Sequence, residues 1–162
     1  MTTFTTSKGT TDTSRVTDFG QMFEGCSNLT TVDVSGLNTS NATTLDRMFK
    51  DCGEFTMKGL YEFDLSSLSD GGEKGLRKFL YASKINTRAH EEAIITWSDA
   101  TGTPNNIRYH MGTSNFTAGR SLAFPEQDSA DATPIVENAF KDLDINKQWH
   151  IDNSPGGGLI NE

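Results

Sequence analysis

Two hydrophobic rhythms alternate along the first half of this chain. Phe19, Met22, Phe23 and Cys26 fall at i, i+3, i+4 and i+7, the spacing that places side chains on one face of a helix. Directly afterwards Val32 and Val34 alternate with Thr31, Asp33 and Ser35, the period of a strand with one buried side. The succession returns 26 residues later: Val16 lies over Ala42, Phe19 over Leu45, Met22-Phe23 over Met48-Phe49, Cys26 over Cys52 and Leu29 over Phe55. The second copy then takes about five extra residues around Met57 to Leu60 before a strand signature reappears. On that alignment Phe63-Asp64-Leu65-Ser66-Ser67-Leu68 matches Val32-Asp33-Val34-Ser35-Gly36-Leu37. A helix–turn–strand unit of this size cannot bury its apolar face alone, so the copies must stack, strands on one side and helices on the other.

The second half reads as a closing segment. Ala89, Ala93, Ile94 and Trp97 share a helix face, with Asn86 or Thr87 as N-cap, and Gly102 and Pro104 end that helix. A second helix is expected from Thr133-Pro134, presenting Ile135, Val136, Ala139, Phe140 and Leu143 on one side. Ile107 with Tyr109, and Trp149 with Ile151, alternate as short strands that would extend the repeat sheet and cover its end. The predicted fold is therefore α/β: a short leucine-rich-repeat-type solenoid of helix–turn–strand repeats with an α/β C-terminal cap. Residues 1–13 form an extended N-terminal arm, 14–152 a single domain with repeats over 14–68 and the cap over 69–152, and 153–162 a Gly-rich tail. Residues 118–133 look irregular or inserted.

The run VTDFGQMFEGCSNLTTVDVSGLNTSNATTLDRMFKDC resembles the BspA-like leucine-rich repeat, marked by an apolar residue, Met-Phe, Cys or a small residue, then Leu and a short strand. The remainder is similar to the closing segment of such proteins through Ile94-Ile95-Thr96-Trp97, Pro104-Asn105-Asn106-Ile107, Gly112-Thr113-Ser114-Asn115-Phe116-Thr117 and Trp149-His150-Ile151-Asp152-Asn153. The resemblance implies cell-surface adhesion or recognition, and similar repeats occur in phage virion proteins.

Composition narrows the partners. A formal net charge of −8 argues against phosphate-backbone binding, which needs clustered Lys and Arg, so nucleic acid is not an expected partner. The first fifteen residues hold one Phe and no apolar run, unlike a secretory leader, and no segment reaches the ~20 apolar residues of a membrane-spanning helix, so membrane insertion is not expected. A chain that is complete as given would begin its life in a cytoplasm.

No catalytic, metal or cofactor pattern emerges. Cys26 and Cys52 lack the close pairing of zinc ligands, and on neighbouring helices ~8–10 Å apart they would be too distant for a disulfide, so both are expected as buried reduced thiols. Asp142, Asp144 and Asn146 imitate the opening of an EF-hand loop, but Lys147 stands where Gly is needed and Asn153 where Glu belongs. His90-Glu91-Glu92 lacks the second His of a zinc-protease helix, and His90, His110 and His150 are expected to face solvent or cap. Pro155 followed by Gly156-Gly157-Gly158 lacks the Lys-Ser/Thr of a phosphate loop. Asn38-Thr39-Ser40 and three similar tripeptides fit a glycosylation pattern and are read as repeat-turn residues.

The expected function is therefore non-enzymatic: a structural and binding protein of a bacteriophage virion, as a tail or head fibre, receptor-binding tip or capsid decoration protein. The alternative is a leucine-rich-repeat domain of a bacterial cell-surface adhesin. Partners would be other virion proteins or copies of itself, with a host surface glycan or protein as ligand. The binding face would be the strand side, through Thr31, Asp33 and Ser35 and through Glu62, Asp64 and Ser66. Phe4, the one apolar residue of the Thr-rich arm, would anchor the chain in an assembly by strand addition.

Overall fold

The fold was analysed from a computed structural model that describes residues 2–6, 9, 11–69, 75–110, 112, 138–139 and 141–152. The expected second-helix start at Thr133-Pro134, the irregular segment 118–133, Phe140 and the tail 153–162 lie outside the described residues. The order of elements is β1 (Thr2–Thr5), β2 (Leu29–Asp33), β3 (Gly53–Lys58), β4 (Ser83–Ile85), α1 (Thr87–Asp99), β5 (Arg108–His110) and β6 (His150–Asp152). The first four strands form one parallel sheet in the order β1-β2-β3-β4, and β5 pairs in parallel with β6 in a second sheet. The molecule is a mixed α/β protein with a four-stranded parallel sheet and few helices.

Parallel neighbours need a crossover between strands, usually a helix. Here the crossover is built from consecutive turns, which corrects the helical reading of Phe19–Cys26 and of its copy. The backbone N–H groups of alternate residues have alternating destinations. Met22, Glu24 and Cys26 donate three residues back to Phe19, Gln21 and Phe23 (3.4, 3.0 and 3.1 Å). Between them Phe19, Gln21, Phe23 and Gly25 donate to the carbonyls of Thr44, Asp46, Met48 and Lys50 in the next copy (3.1, 2.9, 2.9 and 2.8 Å). The pattern repeats from Leu45, Arg47, Phe49 and Asp51 to Gly75, Arg77, Phe79 and Tyr81 (2.8, 3.0, 3.0 and 2.9 Å). A residue with positive φ follows every fourth position: Gln21 and Gly25, Arg47 and Asp51, Lys78 and Ala82. An α-helix would send every N–H back into its own segment; these turns spend half of them on joining neighbouring copies.

The segment Gly75–Ile85 thus forms a third copy, inside the stretch expected as the cap. The second copy has no five-residue insert before its strand. Thr31 pairs with Thr56 and Val32 with Met57, and the buried series Leu29, Val32, Val34, Leu37 continues as Phe55, Met57, Leu60, Phe63. Phe63-Asp64-Leu65 is therefore the counterpart of Leu37-Asn38-Thr39 rather than of β2, and a 3₁₀ turn at Leu60–Glu62 follows β3. Gly59 permits the close approach there, at φ 79° with an added Cβ only 2.5 Å from the Ser35 nitrogen.

The core is a column of rings, one from each layer. Phe4 meets Phe23 edge-on at 4.8 Å, Phe23 stacks on Phe49 at 5.0 Å, Phe49 meets Phe79 at 5.4 Å, and Phe79 meets Tyr109 at 6.2 Å. Each aromatic pair adds about 0.5–1.5 kcal/mol beyond the area it buries. The same geometry places the N-terminal arm: β1 pairs with β2, with Phe4 opposite Val32, and Phe4 packs against this chain's own core.

Helix α1 buries the expected face of Ala89, Ala93, Ile94 and Trp97. Asn86 stands at its N-cap position, as expected, but its side-chain oxygen accepts the Met57 N–H at 2.7 Å instead of bonding to the helix. The β5–β6 pair does not extend the main sheet. It lies against the turn side of the third copy, where Leu76 bridges to Tyr109 and the Leu80 N–H reaches the His110 carbonyl at 3.1 Å. Buried Ala139 and Leu143 come from the last helical stretch, which ends in a widened turn at Asp142–Asn146.

Candidate functional site

After each of the first three strands an Asx-x-Ser sequence recurs: Asp12-Thr13-Ser14, Asn38-Thr39-Ser40 and Asp64-Leu65-Ser66. Each first residue folds its Oδ1 back onto the backbone two residues on. Asp12 accepts the Ser14 N–H at 2.9 Å, Asn38 the Ser40 N–H at 3.0 Å, and Asp64 the Ser66 N–H at 2.9 Å. Asp and Asn favour such turns because their short side chains replace a backbone acceptor.

Buried threonines lock the layers together. The buried Thr13 hydroxyl donates to the Asn38 carbonyl at 3.1 Å and accepts the Asn38 N–H at 2.7 Å. Thr39, 1% exposed, does the same to Asp64 at 3.0 and 2.8 Å. Thr6 bridges the Asp33 carbonyl and the Gly36 N–H, both at 3.0 Å. A buried hydroxyl that is satisfied twice fixes the backbone around it, so the exposed Asp12, Asn38 and Asp64 are held on a rigid frame.

These positions border a groove of about 520 Å³, lined also by Ser35, Gly36, Ser40 and Glu62. Of the residues expected on the binding face, Ser35, Glu62 and Asp64 are brought together here. Thr31, Asp33 and Ser66 lie outside its lining: Thr31 and Asp33 sit half-buried on β2, and Ser66 is exposed beside Asp64. Asp33 contributes indirectly by accepting both the N–H and the hydroxyl of Ser35, at 3.1 and 2.7 Å. These bonds hold its carboxyl below the usual range, the Ser35 hydroxyl having the larger effect. Asp12 is lowered in the same way by Ser14.

Sequence reasoning missed Asp12, Thr13, Asn38, Thr39 and Ser40. The signal was a polar triplet at a spacing of 26, and Asn38-Thr39-Ser40 was noticed only as a tripeptide pattern. The expected five-residue insert had set Asp64 against Asp33 instead of Asn38, which hid the series.

The other chemistry-bearing residues fall elsewhere. His90 is fully buried, not solvent-facing; its Nε2 is hydrogen-bonded to the Tyr109 hydroxyl, and burial lowers its pKa to about 3. Burial pushes the Tyr109 phenol well up. His110 accepts the Lys78 N–H on Nδ1 at 2.9 Å, and His150 is exposed. The cysteines are both free thiols, but Cys26 is exposed whereas Cys52 is buried, with its Sγ 3.0 Å from the Phe23 carbonyl. Asn146 donates to Asp142 at 2.6 Å inside the widened turn. Among the described residues no group of three or more His, Cys, Asp or Glu converges as a metal site, and no helix is long and apolar enough to cross a membrane.

A family model described as Mycoplasma protein of unknown function, DUF285, matches residues 1–91, a stretch that runs from β1 through the third copy into α1. No curated protein and no solved structure matches the chain.

Proposed function

The chain belongs to the DUF285 family, and we propose that it is a non-enzymatic recognition module of the BspA-like leucine-rich-repeat kind. In this reading the stacked turn-and-strand copies form a short solenoid, closed at one end by α1 with β5 and β6. The groove beside Asp12, Asn38 and Asp64 takes an uncharged, hydroxyl-rich ligand such as a surface glycan.

One observation carries the proposal: the same Asx side chain returns at the same place in three layers, each fixed through Oδ1 and exposed to solvent. Neighbouring strands lie ~4.8 Å apart, so the three positions present an evenly spaced row of polar groups about 10 Å long. A row of carboxylate and amide groups held in place suits hydroxyl donors arrayed along a sugar chain. The acidic balance of the molecule disfavours an anionic ligand.

The family description names a bacterium, which supports a setting on a bacterial cell surface as part of an adhesin. The second reading is a bacteriophage virion component. Its support is the place of β1 at the edge of the four-stranded sheet among the described residues, which suits a chain built into a larger assembly. Antibody labelling of intact cells beside purified particles from the same culture separates the two settings.

Binding itself is tested by titrating neutral and acidic oligosaccharides into the wild-type protein and an Asn38→Ala/Asp64→Ala variant. The expected result is saturable binding of a neutral glycan that the double variant loses while keeping its unfolding midpoint within a few degrees. Equal binding by the variant would overturn the groove as the site.

A further inference from the structure

Among the described residues, the layer that opens the molecule is covered on one half only. Over the strand half, β1 lies on β2 and Phe4 closes the column above Phe23. Over the turn half, from Asp18 to Cys26, the described residues place no layer at all. The second and third copies show what such a layer does. The carbonyls of Thr44, Asp46, Met48 and Lys50 each accept an N–H from the copy before them, as do those of Gly75, Arg77, Phe79 and Tyr81. Their counterparts in the first copy are the carbonyls of Asp18, Gly20, Met22 and Glu24. No backbone N–H among the described residues reaches these four.

The side chains point to the same vacancy in the packing. Met48 is fully buried, but Met22, its counterpart, is 45% exposed. Cys52 is buried under the first copy and hydrogen-bonds to the Phe23 carbonyl; Cys26, its counterpart, is exposed. Terminal layers of a stacked array normally carry a polar outer face. This one presents a methionine, a thiol and a row of bare acceptors.

We propose that the turn half Asp18–Cys26 is a docking surface for one further turn segment of the same repeat, supplied by a partner chain. The occupant is defined by continuity with the interface between the first and second copies. It must present N–H donors on alternate residues, opposite Asp18, Gly20, Met22 and Glu24, as Phe19, Gln21, Phe23 and Gly25 do toward the second copy. A second copy of this chain does not meet that requirement. Paired face to face about a two-fold axis, it would set acceptor against acceptor along this half. Its donor end is already used, because the Leu80 N–H is bonded to the His110 carbonyl and the Lys78 N–H to the His110 ring.

The test uses the full chain with Cys52→Ser, so that Cys26 is its one thiol. The probe is a synthetic peptide of residues 14–28 with serine in place of its cysteine. The expected result is saturable protection of Cys26, its reaction with a thiol reagent slowing by about tenfold or more, and protection of alternate amides of the peptide from exchange. A chain carrying the same fifteen-residue segment fused ahead of Met1 is measured alongside. Protection in the fusion but not with the free peptide would overturn the partner-chain source and assign the layer to a covalently linked repeat. Unchanged Cys26 reactivity in both would overturn the docking surface, as would protection produced by self-association of the chain without peptide.

Discussion

Phe23 and Phe49 stack nearly face to face, with centroids 5.0 Å apart and ring planes within 8°. They are the same residue of successive copies, so the pair is the repeat made visible in the core. Phe49 is wholly enclosed and also touches Phe55 and Phe79, whereas among the described residues Phe23 has Phe4 as its one ring contact beyond Phe49. Truncating a packed aromatic costs about 3–5 kcal/mol. Phe49→Ala is expected at the upper end of that range and Phe23→Ala at the lower end, as read from urea midpoints at constant slope. A larger loss at Phe23 would contradict the order of layers in the column.

Much of this column was legible in the sequence, because Met-Phe recurs at a fixed shift and large apolar residues have few other places to go. The turn architecture between the rings was not. Consecutive turns bring every third or fourth residue inward, so Phe19, Phe23, Leu45 and Phe49 carry the same periodicity that a helix would. Of the positive-φ residues that exclude a helix, Gln21, Arg47, Lys78 and Ala82 give no signal of it, unlike Gly25 and Asp51. The third copy is hidden because it is displaced from the second by a different shift and carries Ser83 in the place of the cysteine. The groove was partly legible: Ser35, Glu62 and Asp64 were chosen from alternation, but their partners depended on a register that only the hydrogen bonds between layers define.

Thr39 provides a test of those bonds. Its hydroxyl is buried and both donates to and accepts from the Asp64 backbone. Thr39→Val keeps the shape and leaves a buried N–H and C=O without their partner, a loss of about 1–3 kcal/mol. Asp33→Ala removes the acceptor of two Ser35 hydrogen bonds and should lower stability measurably, though less than Thr39→Val. Thermal midpoints of the two variants decide the ranking.

The two thiols should differ sharply in reactivity. Burial raises the Cys52 pKa to about 11, which leaves almost no thiolate at neutral pH, and Cys26 lies open. In the folded protein one thiol should react promptly with a chromogenic disulfide. The second should appear only on unfolding, for a total of two without added reductant. A prompt count of two would contradict the burial of Cys52.

Gly25 and Gly59 separate backbone strain from steric exclusion. Both have positive φ, 76° and 79°, but a Cβ at Gly25 would meet nothing within 4 Å, while one at Gly59 would meet the Ser35 backbone at 2.5 Å. Gly25→Ala should cost about 1–2 kcal/mol, the cost of the left-handed conformation for an L-residue. Gly59→Ala should cost distinctly more, because β3 must move away from the segment that positions Ser35 at the groove. Equal losses would place the strand-to-turn crossing elsewhere.

His90 makes the stability of the cap depend on pH. Its folded pKa is lowered to about 3 by burial beside Tyr109, against about 6.5 in an unfolded chain. Above the unfolded value both states are neutral there and the contribution of His90 is fully present. As pH falls below that value the unfolded chain takes up a proton that the folded chain refuses, so stability declines by up to about 1.4 kcal/mol per pH unit until the folded pKa is reached. The carboxyl of Asp33, lowered by Ser35, adds its own loss only below the ordinary carboxylate range. Between pH 6 and 4.5 the slope should therefore belong mainly to His90, and a His90→Gln variant, less stable at neutral pH, should show a flatter profile across that window. Urea titrations at half-unit intervals measure it; parallel profiles for the two proteins would mean that His90 is protonated within the fold and that its bond to Tyr109 does not depend on a neutral ring.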